Sequence, residues 1–161
     1  MLLVDLAVGY ISIDNEETNP RRNVMTLVQR FAQVFGAIYL VVGVAGFIPP
    51  LLAAKQPDSS FMGLLLGLFF VNALHSATHL LIGVAGLATY RNLDAAKAYA
   101  LVIGVAYAAL FVLGLIFGIR FLGGLLPLNG WDHILHLLTA LVAFGAYFAS
   151  RGTAGTAAAS R

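Results

Sequence analysis

Asn72, His75 and His79 place hydrogen-bonding and metal-ligating chemistry inside a stretch, VNALHSATHLLIGVAG, that is otherwise oily. At helical spacing Asn72, His75, His79, Gly83 and Gly86 advance by three, four, four and three residues, so they share one stripe. Asn129, Asp132, His136, Ala140 and Ala143 repeat those steps 57 residues later, in LNGWDHILHLLTALVAFG. Ionisable side chains inside an apolar helix are costly and face a bundle interior, which makes them functional candidates.

Two cofactor chemistries suit these residue types. In one, His79 and His136 are paired axial ligands of a haem b, and Gly83, Gly86, Ala140 and Ala143 leave room for the flat macrocycle. In the other, His75, His79, Asp132 and His136, with His133 as a further candidate, surround one transition metal; imidazole plus carboxylate suits Zn, Fe or Cu. In either case Tyr39 and Tyr107 would hydrogen-bond the ligands. The competing reading needs no cofactor. Asn72 and Asn129 are N-caps, His75 and Asp132 occupy the third helical position, and Asp132 completes a capping box. His79 and His136 then bond across helices to Tyr39, Tyr107 or each other, and the small residues serve close packing. This interhelical network is the reading the chain favours.

Composition fixes the solvent. The 161 residues are 60% hydrophobic and 10% charged, with a mean hydropathy of +0.91. Soluble domains carry about a quarter charged residues, so a water-facing surface cannot be built from this inventory and lipid is the alternative. The net charge is only +2 and the Lys and Arg are scattered, which excludes a nucleic-acid footprint. There is no cysteine, so thiol chemistry, Cys-based zinc or iron–sulfur sites and Cys-attached haem are excluded. No phosphate-cradling loop, HExxH or nucleophile elbow is present, and no catalytic residue is assigned.

The elements that must position the stripes follow from apolar runs and breakers. Residues 1–23 read as an interfacial or loosely ordered extension, apolar to Asp14 but interrupted by Asp5 and too short to span. Spans are expected at about 25–48, 72–90, 98–121 and 129–150 within a transmembrane domain of 24–150. Pro49 and Pro50 end the first, Leu51–Ser60 is a loop, Phe61–Val71 is apolar but separate from the second span, and Arg91–Lys97 is a polar turn. The tail, 151–161, is expected to be disordered.

The first and third spans also match, Gly36 with Gly104, Tyr39 with Tyr107 and Gly46 with Gly114. The expectation is an all-α, integral membrane four-helix bundle of two repeated hairpins, related by a pseudo-twofold along the membrane normal. His79 and His136 then lie at one depth, about 10 Å below the outer helix ends. Seven basic residues (Arg21, Arg22, Arg30, Arg91, Lys97, Arg151, Arg161) fall on one side and two (Lys55, Arg120) on the other, placing both termini in the cytoplasm.

FGAIYLVVGVAGFIP, the VNxxHxxxHLLIGVAGL block and LNGWDHILHLL together resemble a bacterial family of small four-span membrane proteins classed as a domain of unknown function. The resemblance covers roughly 25–147. It implies a four-helix bundle in the bacterial inner membrane and carries no established activity. Phe70 stands where the second copy has Pro127. Three classes of function are open: an accessory or structural subunit packing in a larger membrane complex or a homo-oligomer, a haem- or metal-binding protein passing electrons, and an oligomeric channel or transporter. The last ranks lowest, because no charged residue falls at mid-membrane.

Overall fold

The computed structural model describes residues 25–57, 59–117 and 125–150. The extension at 1–23, the tail at 151–161 and Arg120 lie outside the described residues. Within them the chain forms four α-helices, α1 (Leu27–Ala45), α2 (Ala73–Thr89), α3 (Leu93–Phe117) and α4 (Gly130–Ala149). It also forms three short strands, β1 (Leu52–Ala53), β2 (Gly63–Leu65) and β3 (Phe69–Val71), between α1 and α2. Three of the helices, α1, α3 and α4, are long and apolar enough to cross a membrane, whereas α2 is a shorter apolar helix of 17 residues.

Each helix starts where a side chain can satisfy the orphan N–H groups of a first turn. At α1 the Gln29 N–H donates to Thr26 Oγ1 (3.4 Å) and the Thr26 N–H donates back to Gln29 Oε1 (3.0 Å), a capping box. At α3 the Ala95 N–H donates to Asn92 Oδ1 at 2.9 Å, and Asp94 in the first turn pairs with Lys97 at 4.0 Å. The polar run Arg91–Lys97 is therefore mostly the first turn of α3 rather than a loop. Asn and Asp suit that end of a helix for the same reason that they suit turns.

The fold is mostly helical rather than purely so. The strands form one antiparallel sheet in the order β1-β2-β3, with Leu52 opposite Leu65 and Leu65 opposite Phe69. Leu66 and Gly67 take positive φ (52° and 75°) in the tight turn between β2 and β3. Glycine holds that conformation without a Cβ penalty. Leu52, Leu65 and Val71 bury against Val42, Ala45 and Phe69, tying the sheet to the end of α1.

α1 packs most extensively on α2, and α3 on α4. Gly36 lies against Gly83, Gly86 and Leu87, Gly43 against Leu80, and Gly46 against Ser76, so α1 and α2 run antiparallel. The same argument holds for α3 and α4, where Gly104 faces Phe144 and Gly114 faces His133. Aromatic and small side chains fill the shared interior, among them Phe31, Tyr39, Tyr99, Tyr107, Ala140 and Ala143. The outward faces are apolar: Val41, Leu81, Leu115 and Leu141 are all more than half exposed. For a helix bundle this polarity suits a lipid surround.

Candidate functional site

The site is built at the heads of α2 and α4. The Asn72 Oδ1 accepts from the His75 N–H (2.8 Å), and the Asn129 Oδ1 accepts from the Asp132 N–H (3.1 Å). The second head is a full capping box, because the Asn129 N–H donates to Asp132 Oδ2 at 2.7 Å. His75, in the corresponding place, lies beside the backbone of Phe70 and Pro127 instead.

Each Asn also reaches across the bundle with its amide. Asn72 Nδ2 donates to the Leu125 carbonyl at 2.9 Å, and Asn129 Nδ2 donates to the Leu68 carbonyl at 2.6 Å. Leu68 and Leu125 are 57 residues apart, the same separation as the two asparagines. The two bonds are therefore reciprocal: each helix head holds the segment that leads into the other.

One turn further in, two ring pairs face the centre. Tyr39 meets His79 edge-on, with centroids 4.9 Å apart and planes at 81°; Tyr107 meets His136 at 5.1 Å and 81°. The two tyrosines contact each other at 5.8 Å, also edge-on. His75 lies 4.6 Å from His79. All of these side chains are buried, as is Asp132. Edge-to-face contact places the positive rim of one ring on the negative face of the next, which is a packing gain beyond buried area.

His75, His79 and His136 line two adjoining spaces. One, of about 30 Å³, lies toward Ile82, Tyr107 and Leu110. The other, of about 190 Å³, is bounded by Tyr39 and Asp132 and by apolar side chains of α1, α4 and the sheet. Both are smaller than the roughly 300–1,000 Å³ usual for ligand and cofactor pockets. Among the described residues no group of three or more His, Asp or Glu side chains is set to hold a metal ion. Of the candidate ligands, His75, His79, Asp132 and His136 line the larger space together, whereas His133 does not. Asp132 is turned to its own helix head, and the His133 ring fills the notch at Gly114 on α3.

Two polar residues of this interior escaped the spacing argument. Thr139, on α4 one turn beyond His136, is buried beside the Tyr39 hydroxyl. Ser76 is buried in the notch at Gly46. The signal for Thr139 was its place three residues along the His136 stripe. Ser76 lies beside His75 and off the stripe, and only the glycine opposite it gives it away.

No curated protein and no solved structure matches the chain. A family described as a domain of unknown function, DUF4383, matches residues 29–149, which takes in α2, α3, α4 and all but the first two residues of α1. The chain belongs to that family of unknown function.

Proposed function

We propose that this chain is a four-span accessory subunit of the bacterial inner membrane, acting through helix packing, with its Asn, His and Asp side chains as an interhelical network. In this reading α2 spans as well as α1, α3 and α4. At 17 residues it would cover about 25 Å, which a slightly thinned or locally adapted bilayer accommodates. The two hairpins, α1–α2 and α3–α4, are copies related by a pseudo-twofold along the membrane normal, with both termini cytoplasmic.

One observation carries the reading: the reciprocal pair of bonds from Asn72 to Leu125 and from Asn129 to Leu68. Equivalent side chains there make equivalent bonds to equivalent carbonyls, as a twofold relation requires. They serve the bundle itself rather than an outside ligand. The matched Tyr39–His79 and Tyr107–His136 pairs support the same relation. With the polar groups turned inward, the outward surface is left to lipid and to other apolar helices.

The test is purification from the native membrane in mild detergent, followed by an absorption spectrum, metal analysis and native mass spectrometry. A packing subunit gives no Soret band, no stoichiometric metal, and a mass above that of one chain. A Soret band, one metal per chain, or a strictly monomeric colourless protein would contradict it.

A further inference from the structure

The geometry points to a binding site for a small uncharged hydroxylated ring, phenol or hydroquinone in type, in the 190 Å³ cavity between Tyr39, His75, His79 and His136. This does not rest on the packing role, because a colourless subunit can hold such a molecule and an unrelated protein could too.

Three features define the occupant. The first is the polarity of the wall. Nδ1 of His75, His79 and His136 is buried without a hydrogen-bond partner. These residues are only 5%, 7% and 2% exposed. Buried polar atoms are rarely left unpaired, so three around one cavity call for a molecule that bonds them. A neutral imidazole carries one N–H and one lone pair. Its Nδ1 therefore either donates or accepts, and a hydroxyl group answers both.

The second feature is charge. Among the described residues no Lys or Arg lines the cavity, so an anion would be uncompensated. Asp132 is already served by the Asn129 N–H at 2.7 Å and lies beside the Phe70 backbone, so it does not demand a cation. The third is shape. Besides the imidazoles, Ile38, Val42, Leu65, Phe69 and Leu135 line the cavity, and aromatic ring edges meet His79 and His136. A single aromatic ring presents its face to those edges and its body to the aliphatic wall, and the volume excludes a haem or an acyl chain. A hydroxylated ring also partitions into a bilayer, which gives it a route to a site inside a membrane bundle.

The experiment uses the full chain in lipid nanodiscs and two fluorine-labelled probes, 4-fluorophenol and 4-fluorotoluene, read by ¹⁹F NMR. The expected result is saturable binding of 4-fluorophenol, displaced by unlabelled phenol, with 4-fluorotoluene about ten-fold weaker because it leaves the imidazole nitrogens unpaired. Val42→Phe, which fills the cavity from its aliphatic side and leaves every polar atom in place, is expected to abolish it. Equal binding of the two probes would overturn the inference. So would 4-fluorophenol binding that Val42→Phe leaves intact, preferential binding of a benzylammonium probe, or the lack of any saturable binding, which would mean that the cavity holds water alone. The comparison of the two probes needs no variant, so a misfolded Val42→Phe leaves it decisive.

Discussion

The α1–α2 and α3–α4 interfaces use glycine at matching places and fill the space in opposite ways. Between α1 and α2 most glycines of one helix meet the backbone of the other, Gly46 with its Ser76 side chain being the exception. A Cβ on Gly36 would lie 2.9 Å from the Leu87 nitrogen, and one on Gly86 would lie 2.7 Å from the Ala32 carbonyl oxygen. Between α3 and α4, Ala140 and Ala143 stand at the positions of Gly83 and Gly86, and side chains enter the notches instead. Phe144 fills the one at Gly104, and His133 fills the one at Gly114. Glycine therefore supports two kinds of contact here. One is backbone on backbone and cannot yield, whereas the other is a socket for a ring that can turn.

That contrast predicts a ranking, measured as unfolding free energy in mixed micelles. Gly83→Ala breaks the first interface most severely, because its Cβ would meet the Leu40 backbone N and Cα (2.8 Å to Cα) and the Gly36 oxygen at 2.9 Å. The expected loss is about 3 kcal/mol, the upper part of the overpacking range. Asn72→Ala with Asn129→Ala removes two caps and both cross-bundle bonds, for a loss of about 2 kcal/mol. The two single variants should share that loss about equally. An unequal split would argue against equivalent hairpins.

Gly104→Ala touches the second interface, where the atoms in the way are the ring carbons of Phe144, at 2.8 Å. The ring can swing aside, and the expected loss is about 1 kcal/mol. A Gly104→Ala as damaging as Gly83→Ala would erase the distinction between the two interfaces. The smallest effect is at Gly145, where a Cβ meets nothing within 4 Å. Gly145→Ala is expected to be neutral or to gain up to about 1 kcal/mol from helix propensity.

Much of this was legible in the sequence, because apolar period and capping chemistry are local. α2 and α4 begin at the residue after the caps named from sequence, Asn72 and Asn129. The polar stripe of α2 was legible too, since residues three and four apart must share a helix face. What failed was non-local or ambiguous. Residues 63–71 form a hairpin, yet GLLLGLFFV has no alternation to separate a strand from a loop, and only Gly67 marks the turn. The start of α3 was misread because Asn92, Asp94 and Lys97 are as much at home in a first helical turn as in a loop. Spacing also left two uses open for Asp132, which shares the His136 stripe and closes its own capping box.

The account depends above all on α2 crossing the membrane, since that alone sets the two hairpins side by side in one orientation. Because the chain lacks cysteine, single cysteines can report it directly. Gln56 and Asp94 are exposed, and among the described residues α2 is the only helix between them. With a membrane-impermeant maleimide on intact cells, Gln56→Cys should label at once and Asp94→Cys only after the membrane is opened. Labelling of both from the same side would show that α2 does not cross, and the paired-hairpin account would fall.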